Sequence, residues 1–278
     1  MNDLVIQGHG LTPDDARALQ RDTGAKAVHT PRPGMARLID LAERGPVAPF
    51  CADRRFDFTF LDRPLHLDQF QLVAMDMDST LITIECIDEI ADMVGVKPQV
   101  AAITAAAMRG ELDFPAALRS RVGLLAGLDE SALQRVYDER LQLSPGAEHL
   151  LTAARTAGLK TLLVSGGFTF FTERLKHRLQ LDDTLANTLE VKDGKLTGQV
   201  LGAIVDADAK AAKVRAVCGD IGCDPSQAIV LGDGANDLKM MAFAGLSVAF
   251  RAKPVVQQQA HVALNHVGLD GVLNLFNS

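Results

Sequence analysis

The chain has 278 residues, of which 47% are apolar, with a formal net charge of −7, no tryptophan and a single tyrosine, Tyr137. That length holds one large domain or two modest ones, and the apolar content excludes disorder while requiring a mostly aliphatic core. The acidic balance excludes a general affinity for nucleic acid, so an anionic ligand needs a local positive centre: a metal ion or a few placed cations.

The first residues, MNDLVIQGHG, lack a basic leader and a long apolar run, which predicts no signal peptide. No segment reaches the ~18 apolar residues of a membrane helix. Cys51, Cys86, Cys218 and Cys223 show no CxxC spacing and no adjoining His pair. They are expected to be free thiols in a cytoplasmic protein. Residues 1–68 read as a small α+β domain. LVIQG is a predicted strand, Thr12 caps a helix over TPDDARALQRDTG, and ARLIDL and FDFTFL are further strands. HTPRPG and AERGPVAP read as loops, and the segment carries no cluster of catalytic residue types.

From Leu72 the pattern changes. LVAMDM, KTLLVS, AIVLGD and LSVAF are short apolar runs, each followed by a turn and then a helical pattern. Strands apolar on both faces predict an α/β fold with a Rossmann-like, doubly wound parallel sheet. Between the first two runs, CIDEIADMVG, PQVAAITAAAMRG, DFPAALRSRVGLLAG and ESALQRVYDERLQ all read as helix. A parallel crossover needs one helix. Residues 85–144 are therefore expected to form a helical cap, inserted into a core made of 69–84 and 145–278. NTLEVKDGKLTGQVLG predicts a β-hairpin about its Asp-Gly turn.

In such a sheet, ligands bind beyond the carboxyl ends of the strands. The first run ends in Asp76 and Asp78, the second in Ser165-Gly166-Gly167, and the third in Asp233-Gly234-Ala235-Asn236-Asp237, with Lys210 opening the preceding helix. Carboxylates converging there repel unless a divalent cation joins them, and hard oxygen donors suit Mg²⁺. With the ammonium of Lys210, the hydroxyl of Ser165 and nearby backbone N–H groups, the site is suited to a phosphoryl group. One aspartate can attack phosphorus while the other handles the leaving-group proton. That second role asks for a carboxyl raised from ~3.9 toward 7. A DxD alone is weak, and Ser165 also reads as a helix cap. Lys213 is the alternative to Lys210. Neither a dinucleotide fingerprint nor a GxxxxGK loop is present. A phosphorylatable signalling module, which also uses an acidic pocket and an aspartyl phosphate, remains a rival to a phosphatase.

DMDST, SGG, the upstream lysine and GDGAND together resemble the haloacid dehalogenase superfamily of phosphotransferases. DMDSTLITIECIDEIA and DFPAALRSRVGLL are similar to its phosphoserine phosphatase family, over about residues 70–278. The resemblance implies Asp76 as nucleophile and Asp78 as acid/base. It implies Mg²⁺ held by Asp76, Asp233 and the backbone carbonyl of Asp78, with Asp237 supporting the metal shell. Ser165, Gly166, Lys210 and Asn236 would meet the phosphate; Glu85 the substrate ammonium; Arg121 its carboxylate; Met108 and Phe114 would be apolar lid positions. Helical geometry agrees on Arg121, since at about 100° per residue it returns to the face of Phe114 whereas Arg119 does not. The implied substrate is O-phospho-L-serine, another small phosphomonoester being the alternative, with no nucleic-acid or membrane partner and a possible homodimer. In some bacterial relatives the N-terminal region is ACT-like, and here it is shorter than a full copy.

Overall fold

The computed structural model describes residues 2–277. The N-terminal part runs β1 (Asp3–Gln7), α1 (Pro13–Thr23), β2 (Ala27–Arg32), β3 (Met35–Ile39), α2 (Val47–Arg54) and β4 (Asp57–Leu61). Its strands form an antiparallel sheet in the order β2-β3-β1-β4. Thr12 caps α1 as expected: its hydroxyl accepts from the Asp15 N–H while the Asp15 carboxylate accepts from the Thr12 N–H. Two expected loops carry structure instead. HTPRPG runs into β2, an edge strand that tolerates Pro31 because its register breaks between His29 and Arg32. AERGPVAP contains Val47, the buried first residue of α2.

Leu4 and Ile6 alternate toward the two helices, while Val5, Met35 and Leu61 face the rest of the protein. The second face is pinned by Asp57. Its buried carboxylate accepts the backbone N–H groups of Asn265, His266 and Val267 at 2.8, 2.8 and 3.0 Å.

The remaining chain starts with β5 (Leu72–Met75) and continues into four helices, α3 (Cys86–Met93), α4 (Lys97–Met108), α5 (Phe114–Gly123) and α6 (Ser131–Glu139). Then come α7 (Ala147–Thr156), β6 (Lys160–Phe168), α8 (Thr169–Leu179), β7 (Asp183–Lys192), β8 (Lys195–Leu201), α9 (Ala207–Ile221), β9 (Ala228–Gly232), β10 (Leu246–Phe250) and β11 (Val262–Leu264). The seven strands stand in the order β11-β10-β9-β5-β6-β7-β8, all parallel except β8. This is the expected α/β class with a helical insertion. Helix α7, which falls in the expected core and is not among the helices expected from the sequence, is the crossover helix proper and buries Ala147, Leu150, Leu151 and Ala154. The hairpin turns at Asp193 and Gly194, with φ of 50° and 72°.

β5 lies between β6 and β9, so the connections leaving these three strands part on either side of it and open a crevice at their carboxyl ends. Ser165-Gly166-Gly167, expected as a turn, stays within β6 and interrupts its register between Val164 and Phe168. Helix α8 starts from Phe168 without a side-chain cap, so Ser165 is not a helix cap. No helix among the described residues is long and apolar enough to cross a membrane.

Candidate active site

Asp76 directly follows β5, and its N–H donates to the Leu231 carbonyl of β9 at 3.0 Å. That bond sets the end of β5 beside the end of β9, which delivers Asp233 and Asp237. Carboxylate oxygens of Asp76, Asp233 and Asp237 lie within 4.8 Å of one another. Asp206 caps α9 by accepting the Ala209 N–H at 2.9 Å, and this aims Lys210, on the first turn, under the trio. Lys210 is 1% exposed. Its Nζ sits 2.8 Å from Asp76 Oδ1 and 2.9 Å from Asp237 Oδ1. Lys213, the alternative, pairs instead with Asp183 at 2.6 Å.

One ammonium does not balance three carboxylates. Desolvation, then Asp76 and Asp237, push the Asp233 carboxyl up to about 7. Asp237 is pushed to about 6 by desolvation and Asp76, against the pull of Lys210. Burial alone would depress Lys210, but Asp237 and Asp76 outweigh it and hold the ammonium above its ordinary range. This surplus of negative charge, with oxygen as the only donor, fits a hard divalent cation. Asp237 has both oxygens engaged, Oδ1 by Lys210 and Oδ2 by the Gly234 N–H at 3.1 Å, which suits a supporting position. On Asp76, Oδ1 accepts from Lys210 and from the Met77 N–H at 2.7 Å, and Oδ2 is left available.

Asp78 does not join the trio. Its Oδ1 accepts the Cys86 N–H at 3.0 Å. Desolvation, followed by the charges of Glu85 and Asp76, raises its carboxyl to about 8. Gly167 is what allows Asp78 to approach β6: a Cβ there would meet Asp78 Oδ2 at 2.7 Å and Ser165 Oγ at 3.0 Å. Ser165 Oγ accepts the Gly167 N–H at 2.8 Å.

A cavity of about 730 Å³ opens over these groups, and its walls include Glu85, Arg121, Phe114, Met108, Gly166 and Asn236. The cap reaches the sheet directly, since the Phe114 ring tip would lie 3.0 Å from a Cβ on Gly166. Arg121 donates through Nε to the Ala117 carbonyl at 3.4 Å, leaving the two terminal nitrogens of its fork for the cavity. Desolvation lowers its guanidinium from the usual range, opposed by Asp88, Glu85 and Asp78. Arg119 is exposed and does not line the cavity. Met108 lines it but is 71% exposed, at the rim rather than in the floor. All twelve predicted site residues thus lie in or beneath this crevice.

Three contributors went unpredicted. Asn187 donates to the Gly166 carbonyl and accepts the Val205 N–H, both at 2.8 Å, holding the end of β6 in place. Thr80 Oγ1 approaches Asp233 Oδ1 at 3.4 Å. Lys253 lines the cavity, and its N–H donates to the Asp233 carbonyl at 3.1 Å. Only Thr80, inside DMDST, had a local signal.

Residues 73–242 match the haloacid dehalogenase-like hydrolase family. The sequence is 55% identical over 216 residues to a phosphoserine phosphatase of Polaromonas sp., covering 76% of this chain and 92% of that one. The crystal structure of a probable phosphoserine phosphatase from Vibrio cholerae aligns with a TM-score of 0.84 at 37% identity, over 98% of this chain and 85% of that one. A phospho-aspartyl intermediate analogue of phosphoserine phosphatase aligns with a TM-score of 0.70 at 37% identity, over 75% and 99% of the two chains.

Proposed function

This chain belongs to the haloacid dehalogenase-like hydrolases, among the phosphoserine phosphatases, and from that premise we propose that it hydrolyses O-phospho-L-serine to L-serine and phosphate through an aspartyl phosphate on Asp76. The observation that carries the reading is the buried Asp76–Lys210 pair at 2.8 Å, set against Asp233 and Asp237 at the carboxyl edge of the sheet. Lys210 holds Oδ1 of Asp76 and so fixes Oδ2 for attack on phosphorus. Asp78, kept protonated by its surroundings, gives its proton to the departing serine oxygen as the P–O bond breaks. The resulting carboxylate then takes a proton from water, whose oxygen attacks the phosphorus and releases Asp76 and inorganic phosphate.

Asp76, Asp233 and the Asp78 carbonyl are the groups that would hold Mg²⁺, with Asp237 behind them; when bound, the cation offsets charge on the phosphoryl oxygens. Ser165, the Gly166 backbone and Asn236 line the phosphate end of the cavity. Glu85 suits the ammonium of the substrate, and the Arg121 fork suits its carboxylate. Four free thiols, three of them buried, suit a reducing, cytoplasmic setting. The test is phosphate release from phosphoserine by wild type and Asp76→Asn, with and without Mg²⁺ and a chelator. Wild-type protein should release phosphate only with the cation, and Asp76→Asn should neither turn over nor accumulate phosphoenzyme. Turnover by Asp76→Asn would remove the nucleophile assignment.

A further inference from the structure

Between the proposed acid and the proposed ammonium-binding residue, the chain doubles back through a strained turn. Ser79 holds φ 56° and ψ 2°, a left-handed conformation that is uncommon for any residue other than glycine. Its N–H donates to the Ile84 carbonyl at 3.2 Å, closing the turn. Its hydroxyl donates to Glu85 Oε1 at 2.7 Å. The next residue along each arm repeats the link, since the Cys86 N–H donates to Asp78 Oδ1 at 3.0 Å. Two parallel rungs therefore join Asp78-Ser79 to Glu85-Cys86.

Glu85 stands at the N-cap of α3, yet its carboxylate caps no backbone N–H there. An acid in that position ordinarily serves its own helix. Here Oε1 is turned away to the Ser79 hydroxyl, and the side chain opens onto the cavity. A glutamate without that partner would sample several rotamers, and binding an ammonium would then have to order it. A strained, non-glycine backbone persists only where the surroundings over-determine it, and such positions cluster at ligand clamps. A glycine would adopt this turn without strain, so the conformation alone does not explain a serine.

The geometry points to Ser79 as a positioning residue that presents Glu85 to the amine of the leaving group, making it a determinant of specificity for amine-bearing phosphomonoesters. This inference rests on the reading of Glu85 as the ammonium's partner. Desolvation raises the Glu85 carboxyl and the Ser79 hydrogen bond lowers it, so the bond also favours the ionised form that an ammonium needs.

The experiment compares kcat/KM for phosphoserine with that for 3-phosphooxypropionate, which keeps the phosphate and carboxylate but lacks the amine. Ser79→Ala and Ser79→Gly should each lower the ratio of the two by about tenfold or more, the effect of losing a hydrogen bond to a charged group. The glycine variant removes the hydroxyl while accepting the turn, which separates the hydrogen bond from the strain. Glu85→Gln should lower the ratio at least as far, and Ser79→Gly added to it should lower it no further. If Glu85→Gln lowers the ratio and Ser79→Gly leaves it unchanged, the role of Ser79 is wrong while that of Glu85 stands. An unchanged ratio in Glu85→Gln would overturn the ammonium assignment itself. Equal losses on both substrates in Ser79→Gly would mark a general structural role and also overturn the inference.

Discussion

Lys210→Met replaces the one buried cation under the acidic trio with a side chain of similar length and no charge. Lys210 makes contacts of 2.8 and 2.9 Å to Asp76 and Asp237. Removing one partner from a buried ion pair costs about 3–5 kcal/mol, because the other charge is left unpaired. The cost should depend on pH, with a sign that follows from the carboxyls. In the folded protein Asp233 and Asp237 titrate near about 7 and about 6, against an ordinary value of 3.8. The folded state therefore keeps protons that the unfolded chain has released. The contribution of these two groups to metal-free stability is fully present below about pH 4 and is lost as pH rises through these two values. For Asp233, raised from 3.8 to about 7, this amounts to on the order of 4 kcal/mol. Without Lys210 the Asp237 carboxyl climbs further, so the variant falls faster. Urea denaturation of wild type and Lys210→Met in EDTA at pH 5 and pH 8 reads this directly. The expected gap is about 3 kcal/mol or more at pH 8 and distinctly smaller at pH 5. Adding Mg²⁺ should narrow the pH 8 gap, since the trio left without Lys210 should bind the cation more tightly than wild type, and a ligand that binds only the folded state adds about 2.7 kcal/mol at a hundredfold excess over its Kd. A gap below about 1 kcal/mol at pH 8, or one independent of pH, refutes the reasoning that Lys210 offsets the trio.

Asp78→Asn should lower phosphoserine turnover by about 10²–10⁴, the usual range for general acid–base catalysis. Rapid-quench kinetics should show the same variant still phosphorylated by p-nitrophenyl phosphate, whose leaving group needs no proton; equal losses on both esters would contradict the acid assignment. Arg121→Lys should raise KM for phosphoserine roughly tenfold, because an ammonium cannot reproduce the two-pronged contact with a carboxylate; steady-state kinetics showing an unchanged KM would exclude Arg121 from recognition. Asp57→Ala leaves three part-buried backbone N–H groups without their acceptor and should cost about 3 kcal/mol in urea titrations. Because Asp57 lies outside the cavity, kcat of the folded variant should stay within about twofold of wild type; a larger drop would show that the N-terminal sheet reaches the chemistry.

What was legible in the sequence divides along a physical line. Strands buried on both faces announce themselves as unbroken apolar runs, so the polar residues just beyond them could be assigned to one sheet edge without knowing the fold. That is why the sequence places Asp76, Ser165 and Asp233 together, and why Lys210, at the start of its helix near that edge, fits better than Lys213. Elements held by tertiary contact were not legible. β2 contains Pro31, and α2 begins just after Gly45-Pro46, so turn-forming residues masked both. Helix α7 follows Pro145-Gly146 inside the expected core, but nothing local marks it as the crossover helix, a role that its burial against the sheet reveals. Asn187 lay inside a predicted hairpin strand, with nothing local to mark the two backbone groups it bridges.

The pair that opens the DMDST stretch shows the limit most clearly. Two residues apart on a strand, Asp76 and Asp78 are expected to point the same way. Both do line the same cavity, but the strand ends at Met75, and the turn that follows gives them different partners. Asp76 keeps Lys210 and stays within the acidic trio, while Asp78 is drawn to the Cys86 N–H beside Glu85. An identical side chain therefore acquires a raised carboxyl at one position and a cationic neighbour at the other. The proposed division into nucleophile and acid accompanies a turn with a left-handed residue at position 79, a feature of backbone conformation that no pattern of residue types encodes.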